Sequence, residues 1–248
     1  QLVAVPWFID AGLLYYRTDL LQKYGFSPPQ TWEELSRAAQ AVLKGEPGMY
    51  GFVWQGKQYE GLVCNILEYL WSAGGDIIRE GKSSLVSDEN ISALTFVKES
   101  IFSTKITPMF VTTLTEEPSR HLFGQGKAVF MRNWPYAWRL FQEETWPIKG
   151  KIGITTLPSF TGGSSAATLG GWHLAINRFS KHPKTAEKLL RFLTSPEAER
   201  RMAIAYGYQP PRRSLYKDSD LLRALPYLKE LYNIFEHARP RPVTPYYM

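Results

Sequence analysis

Residues 168–176 read Thr-Leu-Gly-Gly-Trp-His-Leu-Ala-Ile, so two glycines and a tryptophan precede a short apolar run. Glycine has no side chain and tolerates positive φ, so another backbone or a ligand can approach Gly170 and Gly171 closely. Trp172 then offers a flat apolar face with a polar edge. The stretch is therefore either the start of a strand with a packed tryptophan or the floor of a site for a ring-shaped ligand.

The composition is that of a globular protein with a sizeable core. Of the 248 residues, 44% are hydrophobic and 21% charged, which fits one or two domains. We find neither an apolar run near the ~18 residues of a transmembrane helix nor a signal segment. The aromatic content is high, at 14%. Several aromatic residues lie in Gly-, Pro- or Asn-rich contexts that favour ligand contact over core packing: Trp7, Trp134, Tyr136, Trp172, Tyr246 and Tyr247.

Charge and cysteine usage argue against several classes of protein. The formal net charge is +6, but the positive residues are scattered, whereas nucleic-acid binders concentrate them on one stripe. Cys64 is the only cysteine, which excludes an intrachain disulfide, and its apolar neighbours favour a buried position. The four histidines have no metal-ligand spacing, and no Gly-rich phosphate loop is present. We therefore expect neither a metal nor a cofactor.

A single acid interrupts the apolar, β-rich stretch 4–17. A carboxylate at Asp10 must be paired, hydrated or facing a ligand, because an unpaired buried charge is costly. Pairing with Arg17 or with a lysine is the alternative to a role in binding.

Strands and helices alternate along the chain, which indicates α/β layering. Trp134 and Tyr136 follow the predicted strand 128–131, at its C-terminal end, where open α/β sheets place ligand sites. Trp134 could also simply fill a joint between strand and helix.

Capping signals predict where several helices begin. Thr31 and Glu34 form the pattern of a capping box. Ser195 and Pro196 are typical of an N-cap followed by a first-turn proline. Asp88 is the predicted cap of a further helix, whose core face we expect to carry Ile91, Leu94, Val97 and Ile101.

Six motifs are informative through their order and spacing, although each alone is weak. They are Pro-Trp-Phe-Ile-Asp-Ala-Gly-Leu-Leu-Tyr-Tyr-Arg-Thr-Asp-Leu-Leu (6–21), Pro-Gln-Thr-Trp-Glu-Glu-Leu (29–35), Phe-Gly-Gln-Gly-Lys-Ala-Val-Phe-Met (123–131), Trp-Pro-Tyr-Ala-Trp (134–138), Gly-Gly-Trp-His-Leu-Ala-Ile (170–176) and Thr-Ser-Pro-Glu-Ala (194–198). Together they resemble the maltose/trehalose-type sugar-binding proteins of bacterial ABC transporters, family 1 of the extracellular solute-binding proteins. The resemblance covers nearly the whole chain.

The resemblance implies an α/β fold of the periplasmic-binding-protein-like, bilobal, class II type, whose lobes close over the ligand. Residues 8–150 would form the second lobe, 151–157 the hinge crossing, 158–212 part of the first lobe, and 213–248 a return to the second lobe. In this family a long segment precedes the first motif. We therefore expect a fragment, with one lobe nearly complete and the other partial.

The same resemblance implies a sugar site in the cleft between the lobes. Aromatic rings stack on the apolar faces of a pyranose, and charged planar groups bind its hydroxyls. The implied contacts are Trp134 and Trp172 as stacking platforms, Tyr136 as ring and hydroxyl, Gly171 as a backbone group, Asp10 as carboxylate, Arg241 (or Arg239) as guanidinium, and Phe8 near the hinge. The alternative for Trp7 and Phe8 is a role in hinge packing only.

The implied function is binding without catalysis. The ligand would be a mono- to oligosaccharide, for example the disaccharide trehalose or maltose, delivered by a monomer to the transmembrane permease subunits of an ABC transporter. The location would be periplasmic or extracytoplasmic, with a lipoprotein anchor as an option.

Two alternatives remain open at this point. One is a glycan-active enzyme in which Asp10 works with Glu143 or Glu144, although no motif positions such a pair. The other is a bilobal binding protein for a polyamine, a peptide or iron. Arg239 and Arg241 could also be solvated charges of a linker.

Overall fold

A computed structural model describes residues 3–244, and within them the chain forms strands and α-helices in mixed order. The strands are β1 (Val5–Ala11), β2 (Leu13–Arg17), β3 (Tyr50–Val53), β4 (Ile78–Arg79), β5 (Lys82–Ser83), β6 (Ala128–Asn133), β7 (Ile152–Thr155) and β8 (Leu169–Leu174). The helices are α1 (Thr18–Tyr24), α2 (Trp32–Gly45), α3 (Glu60–Ser72), α4 (Asp88–Phe102), α5 (Glu116–Gly124), α6 (Tyr136–Leu140), α7 (Pro183–Leu193), α8 (Pro196–Tyr206), α9 (Ser219–Ala224) and α10 (Leu228–His237). Short 3-10 helices cover Met109–Thr113 and Arg213–Lys217.

A four-stranded mixed sheet lies at the centre of the main core, with the strand order β3-β6-β2-β7. Strand β2 runs antiparallel to β6 and β7, and β3 runs parallel to β6. Every residue of β6 is buried, as expected for an inner strand covered on both faces. Helices α2, α3 and α10 contribute Leu35, Leu70 and Leu231 to the same core.

A separate antiparallel pair joins β1 to β8, two strands that are distant in sequence. Ile9 pairs with Gly171, and Asp10 pairs with Gly170. The backbone N–H of Ile9 also donates to the carbonyl of Gln209 at 2.9 Å. Because only Gly12 separates β1 from β2, the β1–β8 pair directly adjoins the four-stranded sheet at the beginning of β2.

The capping signals at two helices are confirmed. At α2 the Thr31 hydroxyl accepts from the Glu34 backbone N–H at 3.1 Å, and the Glu34 carboxylate accepts in return from the Thr31 N–H at 3.4 Å. At α8 the Ser195 hydroxyl accepts from the N–H of Ala198, and Pro196 stands in the first turn. These local patterns therefore fix where both helices begin.

The prediction for α4 is wrong in two respects. The cap is Ser87, whose hydroxyl accepts from the Asn90 N–H at 3.3 Å. Ile91 and Leu94, expected in the core, are 52% and 39% exposed. The amide of Asn90 explains the rotated face, because it is buried and satisfies three backbone carbonyls. Those acceptors are Asp76, Ser84 and Leu85.

The predicted division into two lobes, a hinge crossing and a return segment stays a prediction. The segment 151–157 contains β7, an edge strand of the four-stranded sheet. In the segment 158–212, helix α7 buries none of its residues. Leu221 and Leu228, from the last segment, belong to the main core. Residues 245–248, with the predicted loop aromatics Tyr246 and Tyr247, lie outside the described residues.

Candidate ligand-binding site

A cavity of about 660 Å³ lies between the β1–β8 pair, the end of β6 and the beginning of α3. It brings together all seven residues predicted as contacts. These are Phe8, Asp10, Trp134, Tyr136, Gly171, Trp172 and Arg241. Eight further lining residues were not among the predicted contacts, namely Trp7, Tyr59, Glu60, Gly61, Cys64, Glu116, Gly170 and Tyr208.

The β1–β8 wall of the cavity is aromatic. Phe8 and Tyr208 stack with ring centroids 4.3 Å apart and an interplanar angle of 14°. The Trp172 centroid lies 6.4 Å from that of Phe8, and Trp172 is 64% exposed. The ring of Trp7 packs against that of Phe8, with centroids 5.3 Å apart, and Trp7 also lines the cavity, so one residue serves for packing and for lining. Trp172 thus keeps an apolar face available for a ligand.

Gly170 and Gly171 allow β8 to lie against its neighbours. Gly171 has φ +119°, and a Cβ there would stand 2.3 Å from the carbonyl oxygen of Phe8. A Cβ on Gly170 would stand 3.0 Å from Cζ3 of Trp134. Any side chain at these positions would separate β8 from β1 or push the Trp134 ring aside. The double glycine therefore serves the close approach of strand and ring.

The opposite wall is formed by residues that follow β6. The indole N–H of Trp134 donates to Glu116 at 3.3 Å, and the same carboxylate accepts from the Tyr59 hydroxyl at 2.6 Å. The Tyr136 hydroxyl donates to Glu117 at 2.6 Å. Burial, together with these acidic neighbours, raises the pKa of Tyr59 and of Tyr136. Both hydroxyls stay protonated, and their orientation is fixed by the carboxylates.

Asp10 is the buried acid of the cavity, with 8% exposure. Its carboxylate accepts no hydrogen bond from any residue between 3 and 244. Arg17, the alternative partner, forms its ion pair with Asp19 at 2.6 Å. Burial raises the pKa of Asp10 to about 7, and the positive charge of Arg132 opposes that rise. A buried carboxyl group without a protein partner can accept hydrogen bonds from ligand hydroxyls.

The two arginines of the predicted linker lie in different places. The Arg241 guanidinium pairs with Glu60 at 2.8 Å and donates to Sγ of Cys64 at 3.6 Å, inside the cavity. Arg239 lies over the ring of Trp71, 5.7 Å from its centroid, and lines a different cavity. The structure thus places Arg241, and not Arg239, at the candidate site. Burial also raises the pKa of the Cys64 thiol, which disfavours its reactive thiolate.

The lining residues that the sequence did not single out come from three separate elements. Tyr59 and Glu60 begin α3, Glu116 begins α5, and Tyr208 follows α8. No local motif marks Tyr59, Glu60 or Glu116, because each reaches the cavity through the packing of its element. Tyr208 alone carried a signal, as an aromatic residue just after the Gly207 that ends a helix.

Neither a metal-binding cluster nor a membrane-spanning helix occurs in residues 3–244. No group of three or more His, Cys, Asp or Glu residues is arranged to hold a metal ion there. The same part of the chain has no helix long and apolar enough to cross a membrane. Glu143 and Glu144, the acids considered as catalytic partners of Asp10, do not line the cavity. The lining therefore shows rings and single acids rather than a catalytic carboxylate pair from the predicted positions.

Comparison with known proteins identifies relatives along almost the whole chain. Residues 2–200 match the sequence profile of the bacterial extracellular solute-binding proteins. A probable ABC transporter-binding protein of Deinococcus radiodurans is 47% identical over 98% of this chain and 59% of its own length.

Solved structures show the same bilobal fold. Maltose-bound MalE3 of T. maritima superposes with a TM-score of 0.94 at 52% identity, over 98% of this chain and 63% of that protein. A solute-binding protein of Thermotoga lettingae, solved with α-D-tagatose, gives 0.88 at 26% identity, over 98% and 62%. The chain thus spans about three fifths of the length of the relatives it matches, and its α/β architecture corresponds to one lobe together with part of a second.

Proposed function

Because the chain belongs to the family of bacterial extracellular solute-binding proteins, we propose that its cavity binds a sugar, with a disaccharide such as maltose or trehalose as the preferred size. The observation that carries this proposal is the pairing of two aromatic walls with the carboxyl group of Asp10, which has no hydrogen-bond partner among residues 3–244. A pyranose presents apolar C–H faces to rings and hydroxyls to charged groups, so it matches both features.

The roles follow from the geometry of each side chain. Trp172 and Trp134 supply stacking faces on opposite walls, and Asp10 accepts hydrogen bonds from sugar hydroxyls. Arg241 donates from the third side, where Glu60 orients it. The cavity volume of about 660 Å³ falls within the ~300–1,000 Å³ typical of small-molecule sites.

At the level of the whole protein, the proposed role is delivery of the sugar to the permease subunits of an ABC transporter, without catalysis. A location outside the cytoplasm, in the periplasm or anchored as a lipoprotein, accords with the family description. We propose that the protein acts as a monomer.

A thermal-shift screen against a panel of sugars, on the protein at its natural full length, tests the proposal. A ligand that binds only the folded state stabilises it by ~2.7 kcal/mol at a hundredfold excess over Kd. We expect maltose or trehalose to raise Tm, and spermidine, a tripeptide and ferric citrate to leave it unchanged. A Tm shift with one of those three, and none with any sugar, would refute sugar binding.

The enzyme alternative has its own readout. Each sugar that binds is incubated with the protein at high concentration, and the products are separated by chromatography. Intact oligosaccharide is the expected result. Release of glucose at a rate that scales with protein concentration would contradict the assignment of a binding role without catalysis.

A further inference from the structure

We propose that the ion pair between Glu68 and Arg132 is a positioning element of the ligand site, which holds the Trp134 ring and the beginning of β8 in one fixed relation. Neither side chain lines the cavity, so both act through residues that do. This inference rests on the proposed function, because it assigns how the two sugar-facing walls are set against each other.

The pair is buried and bidentate. The side chain of Arg132 is 1% exposed and that of Glu68 is 3% exposed. The Nε of Arg132 donates to Oε2 of Glu68 at 2.8 Å, and Nη2 donates to Oε1 at 2.6 Å. Two parallel hydrogen bonds fix the plane of the guanidinium group as well as its position.

That plane supports the Trp134 ring. The guanidinium carbon of Arg132 lies 4.0 Å from the ring centroid, which is a close cation–π contact. On its edge the indole N–H is held by Glu116 at 3.3 Å. The ring therefore has a cation against its face and a carboxylate at its edge, so its orientation depends on where Arg132 stands.

The carboxylate of the same pair holds the entrance to β8. Oε1 of Glu68, which binds Arg132, also accepts from the backbone N–H of Thr168 at 3.0 Å. The Thr168 hydroxyl donates to the carbonyl of Cys64, also at 3.0 Å. Thr168 directly precedes the strand that carries Trp172. One carboxylate thus links the supports of both candidate stacking residues.

The connection between β1 and β2 also leaves space for the Glu68–Arg132 pair. Gly12 joins β1 to β2, and a Cβ there would lie 2.1 Å from Oε1 of Glu68 and 2.7 Å from Nη2 of Arg132. Only glycine leaves room for the ion pair at this point. Gly12, directly after β1, and Thr168, directly before β8, therefore both lie against the Glu68 carboxylate.

Net stabilisation alone is a poor explanation for this arrangement. The free-energy cost of desolvating two buried charges offsets much of their mutual attraction. Apolar residues of similar volume often give the same stability as a buried ion pair. Here Gln55 accepts a third hydrogen bond from Arg132 at 3.2 Å and donates back to its backbone carbonyl at 2.9 Å. The hydrogen bonds of Arg132 to Glu68 and Gln55 therefore hold its guanidinium group in one geometry, as a residue that positions the Trp134 ring requires.

Arg132→Lys in the full-length protein tests the inference, with maltose as the probe. Lysine keeps the charge but lacks the flat fork that both grips Glu68 and stacks on Trp134. We expect calorimetry to show a Kd for maltose raised about tenfold. In a Trp134→Ala background the same substitution should raise Kd by a smaller factor, because only the support of β8 through Glu68 is left to be lost.

Glu68→Gln is the second variant, since it keeps an acceptor for the Thr168 N–H but loses the charge that holds Arg132. It should also raise Kd. Ser72→Ala is the matched control on the same helix, because Ser72 is buried and accepts from the Trp32 indole at 3.0 Å, away from the cavity. It should lower Tm and leave Kd unchanged.

A readout without ligand separates this inference from the proposed function. Acrylamide quenching of the Trp134 emission, obtained by difference from Trp134→Phe, should increase in Arg132→Lys. If the wild-type protein binds no sugar, the proposed function fails and this result can still stand. Unchanged Kd and quenching in a folded Arg132→Lys, equal Kd losses in both Trp134 backgrounds, or failure of both pair variants to fold would overturn the inference.

Discussion

Replacing Trp172 by alanine separates a ligand-binding role from a structural one. Trp172 is 64% exposed, so its loss removes little packing. A tryptophan side chain offers about 250 Å², so its exposed part is roughly 160 Å², and a sugar stacked on one face would cover about half of that. At ~25 cal/mol per Å², the lost contact corresponds to about 2 kcal/mol, or roughly a 30-fold rise in Kd.

Calorimetric titration of the full-length protein with the sugar identified by thermal shift measures this Kd. Stability should change by no more than ~0.5 kcal/mol, because the side chain is mostly exposed. Phe102→Ala is the control, since Phe102 is an exposed aromatic residue (57%) at the end of α4 and does not line the cavity. An unchanged Kd in a folded Trp172→Ala would refute the stacking role, and a large loss of Tm would show that the ring is structural.

Three further predictions concern stability, measured by urea unfolding. The pKa of Asp10 is raised from 3.8 to about 7, so between these two pH values the folded protein keeps a proton that the unfolded chain has lost. The free energy of unfolding therefore falls as pH rises from 3.8 to about 7, by on the order of 4 kcal/mol. Asp10→Asn should remove this pH dependence. Gly12→Ala should cost about 3 kcal/mol, because its Cβ would meet the Glu68 carboxylate at 2.1 Å. Thr31→Ala should cost about 1 kcal/mol, because the Glu34 N–H loses its acceptor.

Each of these has a defined contrary result. Burial also raises the pKa of Glu199 to about 7, so the free energy of unfolding of wild type is compared with that of Asp10→Asn at each pH. A difference between the two that does not vary with pH would contradict the burial argument for Asp10. For the glycine, wild-type stability of Gly12→Ala would show that the ion pair moves aside freely. For the cap, the control is Thr104→Ala, whose hydroxyl bonds a carbonyl at a helix end and caps no N–H group; an equal cost in both would deny a specific role to the capping box.

Six of the seven candidate contacts, all except Arg241, could be predicted because they lie within motifs whose order is diagnostic. Asp10, Trp134 and Trp172 stand out as an acid in an apolar stretch and as rings beside glycine or proline. Tyr59 and Glu116 carry no such mark, because their place in the cavity depends on how α3 and α5 pack. The sequence therefore predicts the walls of the cavity better than the groups that orient them.

Periodicity failed where a polar side chain competes for the core. In α4 the apolar residues Ile91 and Leu94 predict one face, but the buried amide of Asn90 satisfies three carbonyls and turns that face outwards. Apolar spacing does not reveal such a network. The Glu68–Arg132 pair was missed for the same reason, since its partners are 64 positions apart in sequence.

The pairing of β1 with β8 also has a consequence for the order of folding. Ile9 and Gly171 are partners although they stand 162 positions apart, and β8 has no fully buried residue, whereas every residue of β6 is buried. Closing a loop of that length costs about 4–5 kcal/mol of chain entropy before any contact compensates it. We expect this ladder to form last and to open first, so its amide hydrogens should exchange before those of β6. The floor of the candidate cavity would then be assembled only in the final step of folding, and a chain arrested earlier would have a core but no candidate site.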